Sequence, residues 1–245
     1  MQVEAQQLMG DAMRSILAAA VLGVAISWIA SAVLDLDLHY LFRTMALLCM
    51  GAPLLLWRLA AYHPFSRLGI ANHITMARGV LTALLAGLIG AGSETKPQAA
   101  AFCVAMIASA LDGVDGWSAR RTGMSSSYGA RFDMETDALL ILVLSLLAWQ
   151  FDKAGAWVLG SGLLRYGFVA ASWQFPWLQR PLPPSWRRKT VAAIQTVTLV
   201  ISIATFVPNS VSASLCAVSL TLLAWSFLAD IAWLKRHAAD VPAVS

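Results

Sequence analysis

A chain of 245 residues with 59% apolar residues, 12% charged residues and a mean hydropathy of +0.69 is too apolar for a water-soluble domain of its size. Its net charge of +4 comes from arginines that lie between apolar runs rather than from one basic face, which excludes a nucleic-acid binder. The three cysteines, Cys49, Cys103 and Cys216, each sit inside an apolar run; this excludes a disulfide framework or a zinc site and reads them as small buried hydrophobes.

Residues 1–13 are polar and mixed, with Glu4 and Asp11, and predict a short surface helix. Eight apolar runs follow, over about 15–34, 40–57, 72–92, 99–119, 132–149, 156–173, 190–206 and 211–234. Each approaches the roughly 20 residues that a membrane-crossing helix needs. A polar turn with Asp35, Asp37 and His39 separates the first two, and a linker with His63, Pro64 and Arg67 precedes the third. The expectation is an all-α integral membrane protein of about eight spans. The pattern contains no internal repeat and no low-complexity tract.

Lysine and arginine set the expected orientation. With eight spans, both termini share a side with twelve of the seventeen basic residues, among them Arg58, Arg67, Arg120, Arg131 and Arg187–Lys189. The opposite loops hold Lys96 and Lys153, and Arg43, Arg78 and Arg165 fall within the spans. This bias predicts that the termini face the cytoplasm. Trp57, Trp149, Trp177 and Trp233 lie near run ends, where an amphipathic ring favours the membrane interface.

Four aspartates stand at the inner ends of the fourth and fifth runs. Asp112 and Asp115 are three apart, and Asp133 and Asp137 are four apart, so each pair shares one helical face. Two such helices joined by a short loop can run antiparallel and aim four carboxylates at one point. Like charges so placed repel unless a cation lies among them. Oxygen donors without His or Cys suit a hard ion, Mg²⁺ or Mn²⁺. The plainer reading is ion pairing of Asp112 or Asp115 with Arg120 or Arg131; four acidic groups with interleaved glycines argue against it. Gly113 reads as a helix-packing contact, whereas Gly116 lies on the turn that faces the cluster.

The pattern Asp112-x-x-Asp115-Gly116-x-x-Ala119-Arg120, eight residues, Gly129-x-x-x-Asp133-x-x-x-Asp137 resembles the signature of the CDP-alcohol phosphatidyltransferases and fills all its fixed positions. Asn72-x-x-Thr75-x-x-Arg78 resembles the opening of that family's first core helix, with Ala71 where the family has proline. The resemblance implies a family core of six transmembrane helices over 72–245, preceded by an extension, residues 1–71, with two further spans. It implies transfer of a phosphatidyl group from CDP-diacylglycerol to a small alcohol, with release of CMP, in phospholipid biosynthesis. Two metal ions would be held by Asp112, Asp115, Asp133 and Asp137, with Asp137 also the base for the acceptor hydroxyl. Asn72, Thr75, Gly116, Ala119, Arg120, Ser126 and Gly129 would seat the nucleotide. The resemblance further implies a homodimer in contact with membrane lipid. With an arginine- and alanine-rich composition, the expected place is a bacterial inner membrane with the active site on its cytoplasmic side.

The acceptor is read from basic residues. Relatives that use a phosphorylated acceptor line a pocket with such residues from the sixth and seventh spans, which implicates Arg165, Arg188 and Lys189. Glycerol 3-phosphate or an inositol phosphate would fit. Arg165 also has an alternative partner in Asp230, and Arg187–Lys189 also read as anchors at the membrane surface. Lys189-Thr190 and Gln195 are similar to a pattern of glycerol-phosphate users, with a different spacing to the glutamine. Two other functions compete: a membrane prenyltransferase that binds a pyrophosphate through Mg²⁺, and an inactive relative with a partner-binding role.

Overall fold

The computed structural model describes residues 2–56, 59–122 and 126–237, apart from the side chains of residues 2–5, 54, 60, 61 and 114–122. Its regular elements are all helical among the described residues: α1 (Gln2–Leu34), α2 (Leu38–Leu56), the short α3 (Leu59–Tyr62), α4 (Ile70–Gly87), α5 (Thr95–Thr122), α6 (Ser127–Gln150), α7 (Gly160–Gln174), α8 (Trp186–Ser202) and α9 (Asn209–Arg236). Single 3₁₀ turns, Ala156–Leu159 and Pro176–Gln179, flank α7. Each of the eight apolar runs falls mainly on one helix. Residues 2–13 continue into α1 instead of forming a separate surface helix, because Leu8 and Ala12 are buried on the same helical stripe. Gln6–Leu34 and Asn209–Arg236 are long and apolar enough to cross a membrane.

The hub is α4, which packs against α1, α2, α5 and α6. Its inner face joins a core of Leu85, Leu140, Leu144, Leu147, Leu199 and Ile203, contributed by α4, α6, α8 and the residue that ends α8. Small residues matter where helices touch, because they let backbones approach closely. A Cβ on Gly162 would lie 2.6 Å from the Leu142 Cα, so only glycine lets α7 approach α6 this closely. Gly87 plays the same part between α4 and α2, where a Cβ would stand 2.8 Å from the Tyr40 ring.

Polar side chains close the helix ends far from the aspartates. Arg43 donates to the carbonyls of Gly87 and Ile89 at the end of α4, which explains an arginine near the start of α2. Gln150 donates to Leu88 O at 3.0 Å and Gly92 O at 2.8 Å. Cys216 is buried as expected, but Cys49 and Cys103 lie on exposed helix faces. Their runs are apolar all round, so sequence did not distinguish the packed face from the outer one.

Candidate active site

The motif residues meet where α4 and α6 begin and α5 ends. This follows from connectivity: α4, α5 and α6 alternate in direction, so the start of one lies beside the end of the next. Asn72, Thr75 and Arg78 are spaced three apart on α4 and form a buried polar stripe along its inner face. Asp112 projects from the last part of α5, and Asp133 and Asp137 from the first turns of α6.

Carboxylate oxygens of Asp112, Asp133 and Asp137 lie within 4.8 Å of one another, close enough for one hard cation to touch all three. Arg78, 1% exposed, reaches into their midst. Its Nη2 lies 2.9 Å from Asp112 and contacts Asp137, and its Nη1 donates to Asp133 at 2.6 Å. The three carboxylates remain 47%, 38% and 39% exposed, so a ligand can approach from the open side while the guanidinium holds the inner one. This all-oxygen donor set could hold a metal ion. Asp115, Gly116, Ala119 and Arg120 have side-chain positions outside the described residues.

Of the residues expected to seat the nucleotide, those described, Asn72, Thr75, Ser126 and Gly129, lie around the starts of α4 and α6. Ser126 caps that helix, its Oγ accepting from the Gly129 N–H at 3.0 Å. A Cβ on Gly129 would fall 2.9 Å from Asn72 Oδ1, so the missing side chain lets α6 sit directly against α4. Asn72 donates to Leu68 O at 2.5 Å, and the Thr75 hydroxyl donates to Ala71 O at 3.1 Å. The Tyr128 hydroxyl donates to Leu55 O, and burial raises its pKa, which keeps it a protonated donor.

Of the residues expected to bind the acceptor, Arg165 and Arg188 form ion pairs with different partners. Arg165 Nη2 donates to Glu135 at 2.5 Å, joining α7 to the side of α6 turned away from Asp133 and Asp137, each two residues from Glu135. Asp230 is not its partner: that carboxylate accepts from Arg187 and Arg188, because α9 packs its last turns against the start of α8. Arg187 also donates to Ser226 Oγ at 2.6 Å. Lys189 is exposed and lies 5.7 Å from the Trp186 ring centre. Gln195 is buried and donates to Ser161 Oγ at 2.9 Å, which makes it a packing residue between α8 and α7.

Sequence reasoning assigned no role to Arg78, Glu135 or His63. A charged residue within an apolar run was the available signal for Arg78. Glu135 stands between two motif aspartates, and no spacing rule ties it to Arg165. His63 donates from Nε2 to Arg67 O at 2.8 Å, and its Nδ1 lies 3.0 Å from Ser126 Oγ.

Comparison with known proteins agrees with this geometry. Residues 68–229 match the family model of CDP-alcohol phosphatidyltransferase, a region that contains every aspartate of the cluster. A CDP-diacylglycerol--glycerol-3-phosphate 3-phosphatidyltransferase of Bacillus subtilis (strain 168) is 32% identical over 100 residues, covering 36% of this chain and 52% of the relative. The chain thus spans about half the length of that curated relative. No solved structure matches it. With the match extending over most of the helical bundle and the aspartates converging within it, the chain belongs to the CDP-alcohol phosphatidyltransferase family, a membrane-bound family of transferases.

Proposed function

We propose that the protein transfers a phosphatidyl group from CDP-diacylglycerol to a small alcohol and releases CMP. The observation that carries this reading is the convergence of Asp112, Asp133 and Asp137 within 4.8 Å, in a chain of this family. In the reaction the acceptor oxygen forms a bond to the donor's lipid-side phosphorus. The anhydride bond to CMP breaks, and Asp137 takes the acceptor hydroxyl proton. Asp112, Asp115, Asp133 and Asp137 would hold one or two divalent ions. Such ions supply charge neutralisation at the phosphates. Arg120 would contact phosphate with its fork of donors, while Gly116, Ala119 and Gly129 leave room for the nucleotide beside Asn72, Thr75 and Ser126.

The acceptor we propose is a phosphorylated polyol, glycerol 3-phosphate before an inositol phosphate, in line with the name of the Bacillus relative. Arg165 supports this reading, since an incoming phosphate could take the place of the Glu135 carboxylate on its guanidinium. A cavity of about 260 Å³ lined by Arg187, Arg188, Asp230 and Trp233 lies at the same end of the bundle. Arg188 and Lys189 would then contribute positive potential near the acceptor.

In an eight-span arrangement the Lys/Arg bias supports a site at the cytoplasmic face, and the arginine- and alanine-rich composition supports a bacterial inner membrane. In this reading residues 1–71 are an extension, 72–245 the catalytic core, and the working unit is a homodimer. Purified protein in lipid nanodiscs should release CMP from CDP-diacylglycerol when given glycerol 3-phosphate and Mg²⁺ or Mn²⁺, and excess chelator should stop it. No CMP release with any of glycerol 3-phosphate, inositol phosphate, inositol or serine would refute the reading. Release with serine alone would remove the phosphorylated acceptor.

A further inference from the structure

Residues 1–67 lie outside the region matched to the family, yet they hold the nucleotide side of the site through two hydrogen-bonded relays. In the first, Nε2 of His63 faces the Arg67 carbonyl at 2.8 Å, so Nε2 carries the ring proton. The neutral ring then offers Nδ1 as an acceptor, and the Ser126 hydroxyl donates to it across 3.0 Å. With its hydrogen so directed, Ser126 Oγ turns a lone pair to the Gly129 N–H at 3.0 Å and caps α6. In the second relay, Asp11 of α1 accepts from the Leu68 N–H at 2.9 Å. The carbonyl of the same Leu68 accepts from Asn72, whose Oδ1 stands against Gly129.

Both relays therefore end at Gly129, four residues before Asp133. They are backed by apolar contact, since Leu8, Ala12, Leu59 and Leu68 form one buried cluster with Tyr128. The His63 ring, 4% exposed, also stands edge-on to Tyr128 with centroids 5.8 Å apart. A histidine buried to this extent needs a partner for each ring nitrogen. Here each has a partner, and one partner is the cap of the helix that carries two of the aspartates.

We propose that the N-terminal segment is a built-in brace for the nucleotide side of the active site, with His63 and Asp11 as positioning residues for Ser126, Gly129 and Asn72. The brace fixes the first turn of α6 before substrate arrives, so its loss falls on the nucleotide-bearing donor and leaves the acceptor's apparent affinity unchanged. The effect on the donor rests on the function proposed above; the effect on α6 does not.

The two nitrogens can be tested separately. In His63→Asn the side-chain oxygen takes the place of Nδ1 and still accepts from Ser126, whereas His63→Gln keeps a donor near Nε2 for Arg67 O and loses Ser126. Amide hydrogen exchange on the ligand-free, full-length protein in nanodiscs reads the brace directly. Residues 127–132 should exchange about tenfold faster in His63→Gln than in the wild type, and at nearly the wild-type rate in His63→Asn. In CMP-release assays His63→Gln should raise the KM for CDP-diacylglycerol about five- to tenfold, with the acceptor KM unchanged and rescue in His63→Asn. Asp11→Ala should do the same through Asn72, and Asp11→Asn, which keeps an accepting oxygen, should not. Wild-type exchange in His63→Gln, or equal acceleration in both His63 variants, would overturn the brace. A wild-type protein that releases no CMP would overturn the proposed function while exchange still decides the brace.

Discussion

Replacing Arg78 with methionine would isolate what the buried guanidinium does for the carboxylate cluster. Methionine keeps most of the side-chain volume and removes the cation. It leaves Asp112, Asp133 and Asp137 with oxygens within 4.8 Å of one another and without the guanidinium's charge. Two unit charges at that distance repel by about 3.5 kcal/mol at an effective dielectric constant near 20, and by about 1 kcal/mol in bulk water. All three aspartates are more than a third exposed, which puts each pair near the lower figure. Three pairs then cost about 3 kcal/mol, at the low end of what loss of one partner from a buried ion pair usually costs. For a chain of this size the melting temperature in detergent, without divalent ions, should fall by about 6–12 °C. A bound divalent ion supplies the missing charge, so Mg²⁺ or Mn²⁺ should raise the melting temperature of Arg78→Met more than that of the wild type. Arg78→Lys, with the charge but without the fork, should lie between them. A metal-free Arg78→Met protein as stable as the wild type, with the same response to metal, would refute the argument.

Three other expectations follow from the same site. Asp137→Asn should lower CMP release by at least about a hundredfold while the variant still binds CDP-diacylglycerol, whereas Asp112→Asn should weaken both metal response and donor binding; equal, mild effects from the two would reverse these roles. Gly129→Ala places a Cβ 2.9 Å from Asn72 Oδ1, so it should cost about 1–3 kcal/mol of stability and raise the donor KM, and an unchanged melting temperature would show that α6 can shift away freely. Arg165→Ala should raise the KM for glycerol 3-phosphate about tenfold with the donor KM kept; a stable variant with wild-type acceptor kinetics would remove Arg165 from the acceptor site.

The sequence by itself determined the local chemistry. Asp112, Asp133 and Asp137 could be grouped because helical spacing of three or four puts carboxylates on one face, and a short loop between two helices makes them antiparallel. The eight apolar runs could be mapped to helices because nothing but regular hydrogen bonding satisfies so long an apolar backbone. Tertiary structure decided which groups meet across helices. Arg78 was the last residue of a helix-opening pattern without an assigned partner until the packing of α4 between α5 and α6 placed it among three aspartates. Asp230 was an available partner for Arg165 in sequence; the docking of α9 on α8 gave it to Arg187 and Arg188, and the docking of α7 on α6 gave Arg165 to Glu135. The linker histidine at 63 carried no spacing relation to Ser126, sixty-three residues on. Periodicity records which residues share a face of their own helix, but not which helix that face will meet, since an apolar surface packs equally well against several others.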